Sequence, residues 1–139
     1  MASFVKYHCF VEDLAEKVHN LGADTLKIAL TNTAPTVATD DELGDITELS
    51  AGAGYTAGGN AVTVTGSAQS SGTYALTQSA DVTFTASSGT IGPFRYAVFY
   101  NDTATNDELI GYWDYGSSIT LNDTETLTVD IGTNILTLS

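Results

Sequence analysis

Val82-Thr83-Phe84-Thr85 places an apolar side chain at every second position with threonines between. A period of two sends successive side chains to opposite faces of an extended chain, and β-branched threonine suits a pleated, half-wet surface. The quartet therefore predicts a strand with one face in a core and the other in water, as antiparallel sheets have. Outward from it the signature recurs over Ala61–Thr65, Thr73–Thr77, Asp81–Ala86, Phe94–Tyr100, Glu108–Asp114, Ser118–Leu121, Thr126–Ile131 and Ile135–Leu138. Upstream, over Thr25–Thr31, Leu26, Ile28 and Leu30 alternate with Lys27 and Ala29 as in a half-buried strand, and Asn32-Thr33-Ala34-Pro35 supplies the chemistry of a turn. Short strands divided by Gly, Ser and Asn-Asp, spaced at about 8–12 residues, predict a mainly β protein built as an antiparallel β-sandwich or jelly-roll.

Two strands depart from alternation. In Phe94–Tyr100 the side chains of Phe94, Tyr96, Val98 and Tyr100 point one way and those of Ala97 and Phe99 the other. Leu109–Tyr115 is nearly as apolar, with Ile110, Tyr112, Trp113 and Tyr115. Such strands are either central to the domain or have one face covered by another subunit. Before the strands, Phe10, Leu14, Val18 and Leu21 share one helical face opposite Glu12, Asp13, Glu16, Lys17 and Asn20. That spacing predicts an N-terminal α-helix over about residues 10–21, with Gly22 as its stop. Thr39–Leu43 could cap one short turn that Gly44 would limit, and Ala51–Asn60, rich in glycine, reads as a loop. With neither a linker nor a repeat, 139 residues read as a single domain, 1–139.

Charge narrows the partners. Four basic residues against 17 acidic ones give a net charge of −13. A surface so negative repels phosphate backbones and anionic lipid, so neither direct nucleic-acid binding nor membrane association is expected. Mutual repulsion keeps many copies dispersed at high concentration. Lys6, Lys17 and Lys27 sit early in the chain and Arg95 alone follows, which marks the N-terminal segment for an acidic partner or for simple solvation. Cys9 has no second cysteine to pair with, the first residues lack the pattern of a signal peptide, and no apolar run approaches a bilayer span. A protein made and assembled in a reducing cytoplasm is expected.

Motifs of catalysis are missing. Gly52-Ala53-Gly54-Tyr55-Thr56-Ala57-Gly58 misses the dinucleotide fingerprint by one position, and there is no nucleophile elbow, Walker-type loop or zinc-protease pair. His8, Cys9 and His19 match no usual zinc spacing. Asp102, Asn106, Asp107 and Glu108 are dense in oxygen, yet lack the central glycine and ligand order of a calcium hand, so a solvated hairpin turn is expected there. No catalytic residue, cofactor or metal ligand is assigned. The remaining constellation is aromatic: Trp113, Tyr112, Tyr115, Tyr96 and Tyr100 on neighbouring strands, with Asp114 and Glu108 nearby. Rings beside carboxylates can bind sugars, and the same rings are ordinary cross-strand core or subunit contacts.

Phe94-Arg95-Tyr96-Ala97-Val98-Phe99-Tyr100-Asn101-Asp102-Thr103, then Leu109-Ile110-Gly111-Tyr112-Trp113-Asp114-Tyr115-Gly116 and Thr126-Leu127-Thr128-Val129-Asp130-Ile131, resembles the C-terminal half of small structural proteins encoded among virion genes of tailed bacteriophages and prophages. Phe10-Val11-Glu12-Asp13-Leu14, Val18-His19-Asn20-Leu21, Thr25-Leu26-Lys27 and Leu30-Thr31-Asn32-Thr33-Ala34-Pro35 resemble their opening. The resemblance implies a non-enzymatic virion component assembled in the bacterial host cytoplasm and brings no catalytic residues. A capsid decoration, or cement, protein that binds the major capsid protein as a trimer or dimer is the leading expectation. A tail-tube, tail-completion or connector protein is the alternative within the particle, and a carbohydrate-binding module of a fibre is the alternative outside that class. The expected contact residues are Phe4, Lys6 and Tyr7 near the N-terminus, and Tyr112, Trp113 and Tyr115 on the aromatic strand.

Overall fold

A computed structural model describes residues 2–139. In chain order the elements are β1 (Ser3–Lys6), α1 (Cys9–Ala15), β2 (Leu26–Thr31), a 3-10 turn (Leu43–Asp45), β3 (Asn60–Ala61), β4 (Val64–Ser70), β5 (Thr73–Gln78), β6 (Val82–Thr85), β7 (Ile91–Asn101), β8 (Leu109–Leu121), β9 (Thr126–Val129) and β10 (Asn134–Leu138). The protein is mainly β with antiparallel sheets and one α-helix. No helix among the described residues is long and apolar enough to cross a membrane.

A central sheet runs in the order β1-β8-β7-β2-β3, beside a three-stranded sheet, β10-β5-β4, and a two-stranded one, β6-β9. Alternation decides what fills the space between these layers. Leu26, Ile28 and Leu30 of β2, with Phe99 and Ile110, share one core with Leu76 of β5, Val82 and Phe84 of β6, and Val129 of β9. Interdigitating inner faces of this kind make a β-sandwich. The threonines of the opening quartet, Thr83 and Thr85, face solvent as their spacing requires.

The second face of the central sheet is covered as well, and by this same chain. Ala29, Val98, Tyr100 and Leu109 pack with Tyr7 and with Val37, Leu43 and Ile46 from the segment between β2 and β3. This explains why β7 is apolar on both sides: it is an inner strand, flanked by β8 and β2. It also corrects the reading of β2 as half-buried, because Ala29 and Thr31 are fully enclosed.

Local chemistry moved several boundaries. α1 ends at Ala15, well short of Leu21. Lys17 adopts φ 68, and the Val18 N–H donates to the Asp13 carbonyl at 2.8 Å, the closing bond of a Schellman-type end. A lysine thus fills the left-handed position usually held by glycine, and Gly22 is not the stop. Phe10 and Leu21 remain buried because the chain folds back, bringing the Phe10 and His19 rings to 5.4 Å. Gly44 lies inside the 3-10 turn instead of ending a helical one. β4 starts at Val64 and runs to Ser70, past the expected end at Thr65. The two strands expected over 108–121 are one, β8, within which Gly116 turns at φ 81. Irregular pairing around Arg95 moves Phe94 into the core shared by Ala97 and Phe99.

Candidate functional site

The edge of the central sheet gathers the residues singled out for contact. β1 lies antiparallel to β8, with Phe4 opposite Trp113 and Val5 opposite Tyr112. The Phe4 and Trp113 ring centroids are 4.9 Å apart, and Phe99 approaches Trp113 from the core at 5.9 Å. Phe4 fits there because Gly111 has no side chain: its ring occupies the space that a Cβ at Gly111 would need. Phe4 remains 46 % exposed, whereas Trp113 is only 7 % exposed.

The predicted contact residues therefore separate. Phe4 and Lys6 reach solvent, and Tyr112 and Tyr115 are half-buried. Tyr7 is fully buried, its ring 5.5 Å from that of Tyr112 and its hydroxyl without a partner. Burial, with Asp40 nearby, raises the pKa of that hydroxyl far above the usual tyrosine range. Tyr7 and Trp113 belong to the core, and any contact through this edge is made by their neighbours.

Beside them Arg95 grips Asp114 with two bonds, Nε to Oδ1 at 2.7 Å and Nη2 to Oδ2 at 3.0 Å. The Arg95 guanidinium also lies 5.2 Å from the Tyr96 ring centroid. Hydrogen bonds from Arg95 and from the Gly116 N–H hold the Asp114 carboxyl below the usual carboxylate range. Tyr96, Tyr100 and Trp113 are all buried, so the flat rings of a sugar platform are not presented on this face. Lys27 is likewise spent, 3.0 Å from Asp102. Lys6 and Lys17 are thus the lysines and arginines without an ion pair among the described residues.

The histidines and cysteine lie around α1. His8, Cys9, Glu12, Asp13, Asp41 and Glu108 line an open cleft of about 420 Å³. Burial, with Asp13 and Asp41 close by, pushes the Cys9 thiol up to about 12, so it stays protonated, pointing at the Leu109 carbonyl 3.5 Å away. His19 is turned elsewhere, Nδ1 lying 3.1 Å from Asn101 Nδ2. No three His, Cys, Asp or Glu side chains among the described residues are grouped to hold a metal ion.

Asn101 was not singled out from sequence, yet it organises the β7–β8 hairpin. Its Oδ1 accepts from the Thr103 and Ala104 N–H groups at 3.0 and 3.2 Å, and its Nδ2 donates to Asp24 Oδ2 at 2.6 Å. The signal was an asparagine at a strand end before Asp-Thr, which favours a side-chain-closed turn. Asn106 donates from its main-chain and side-chain nitrogens to Glu108 in the same hairpin, so the Glu108 carboxylate oxygens serve the turn. Compared with known protein families, curated proteins and solved structures, the chain matches none.

Proposed function

We propose that this chain is a non-enzymatic structural component of a tailed-bacteriophage particle, acting as a decoration protein on the assembled head. The observation that carries the reading is the open edge of β1. There Phe4, 46 % exposed, offers a large apolar ring next to Lys6 on a molecule of net charge −13. The resemblance of both chain halves to virion proteins points the same way. A ligand that binds only the assembled lattice stabilises it by mass action, about 2.7 kcal/mol per site when free ligand is a hundred times its Kd. Repetition over a shell turns a modest contact into a large total. An antiparallel block with both faces of its central sheet packed keeps its shape while it does so, and a charge of −13 keeps unbound copies apart.

Copy number in purified particles tests the proposal. Quantitative mass spectrometry should find hundreds of copies, and stripped shells should rebind the purified protein but not a Phe4→Glu variant. A handful of copies would move the chain to a tail-completion or connector position. Absence from particles, or turnover of any substrate, would overturn the proposal.

A further inference from the structure

The charge is not spread evenly over the chain. From Leu49 to Ala80 there is no acidic, lysine, arginine or histidine residue, and none from Ile131 to Ser139. The fold collects these two stretches into one place, for they contain all of β4, β5 and β10, the whole three-stranded sheet. That sheet is an uncharged region on a molecule of net charge −13.

Its outer strand β4 is also an open edge, with β5 on one side and no strand on the other. Edge strands are commonly guarded by charges, proline or bulges, because their free N–H and C=O groups recruit further strands. β4 has neither charge nor proline, and its one irregularity, between Val64 and Gly66, lies at its base. From Gly66 to Ser70 the pairing with β5 is regular, and from Ser67 to Ser70 every residue is exposed. The sheet's other edge, β10, has its irregularity between Asn134 and Leu136 and leaves only Leu136–Leu138 regular. β1 carries Lys6, and β9 is flanked by Glu125 and Asp130.

We infer that β4 is the docking edge for a second copy of this chain, the two β4 strands pairing antiparallel about a two-fold axis near Ala68. Charge selects the occupant. Two acidic copies repel each other wherever carboxylates face carboxylates, and the uncharged sheet is where they approach at least cost. Antiparallel pairing of one strand with its own copy is self-complementary, as a two-fold interface requires, and it joins two three-stranded sheets into a continuous one. This inference does not depend on the virion reading.

Analytical ultracentrifugation of the full chain is the test, with Ala68→Glu on β4 and Thr137→Glu on β10. Ala68 is exposed and lies opposite Ala75, so glutamate there meets its own copy across the axis without entering the core. The wild type and Thr137→Glu should sediment as dimers, while Ala68→Glu should raise the dimer Kd by at least about tenfold. Added salt should tighten the wild-type dimer by screening the remaining repulsion. Amide exchange on wild type gives an independent reading, with protection of Gly66–Ser70 rising with protein concentration. A wild type that stays monomeric, dissociation by Thr137→Glu alone, or exchange at β4 that ignores concentration would overturn the inference.

Discussion

Removing one oxygen at Tyr55 should cost this protein a large part of its stability. The Tyr55 ring lies in the core, its centroid 5.8 Å from that of Phe84, and its hydroxyl closes a gap in the central sheet. β3 pairs with β2 only at Lys27 and Ile28; beyond it Thr31 bridges Glu48 and the Leu30 carbonyl accepts the Leu49 N–H, which leaves the Leu30 N–H to a side chain. Tyr55 Oη accepts the Leu30 N–H there at 3.0 Å and donates to Glu48 Oε1 at 2.6 Å. Glu48 also takes the Gly58 N–H at 2.6 Å, and Tyr100 donates to the Gly58 carbonyl at 2.6 Å. The glycine-rich loop is thereby tied to the sheet through side chains.

Tyr55→Phe keeps the ring, so no cavity opens and the loss is one of hydrogen bonds. Leu30 is fully buried, and an N–H stranded there costs about 1–3 kcal/mol. Glu48 loses a charge-assisted donor but is half-buried and retains Gly58, so its share lies near the lower end, about 1 kcal/mol. The total, about 2–4 kcal/mol, lowers Tm by about 7–14 °C for a chain of this length. Urea titration followed through the fluorescence of the single tryptophan, Trp113, should show the midpoint falling with an unchanged slope. Tyr74→Phe is the control, since its hydroxyl meets only Ser67 at an exposed position and should cost under about 0.5 kcal/mol. If the two variants prove equally stable, Tyr55 does not close the edge of β2 and the reasoning fails.

Two further outcomes are expected. Gly59 has φ +71 and packs against the Ile28 main chain, where a Cβ would lie 2.6 Å from the carbonyl carbon. Gly72, at φ +82, has nothing within 4 Å. Gly72→Ala should therefore cost the left-handed strain alone, about 1–2 kcal/mol, and Gly59→Ala at least about 3 kcal/mol; equal melting temperatures would refute the steric account. Burial holds the His19 pKa below 6.5, outweighing Asp13, Glu108 and Asp24, which act in the opposite direction. The unfolded chain then takes up the proton first as pH falls through 6.5, so wild type should lose stability relative to His19→Gln between pH 7.5 and 5, and parallel profiles would refute this.

Sequence legibility followed the range of the interaction responsible. β6, β9 and the core face of β2 were readable because alternation is local and the residues facing them are apolar, as with Phe84 opposite Leu127. The end of α1 was not, since Lys17 in a left-handed conformation violates local preference, and the helix closes there through the bond from the Val18 N–H to the Asp13 carbonyl. The break expected between Asp114 and Ser118 does not divide the chain, because β7 continues alongside and pairs Ile119 with Phe94, so the strand runs through. The contact residues divided for the same reason. Nothing local distinguishes Tyr7, enclosed by Val37, Leu43 and Ile46 from a distant segment, from Phe4 three positions earlier, which has water on one side.

That enclosure bears on how the protein can meet its neighbours. Apolar residues on both sides of β7 invited two explanations, an inner strand or a face lent to another subunit, and the segment between β2 and β3 supplies the cover from within the chain. With both faces of the central sheet occupied, its broad aromatic surfaces are spent on folding, and its capacity for association shifts to the rims. The rims differ in chemistry. β1 offers an exposed phenylalanine and a lysine, whereas β4 offers uncharged main chain. A contact through β1 gains from an acidic partner and weakens as salt rises, while a contact between two β4 strands strengthens as salt screens the surrounding carboxylates. The opposite salt responses allow the two edges to be separated in one protein without mutation.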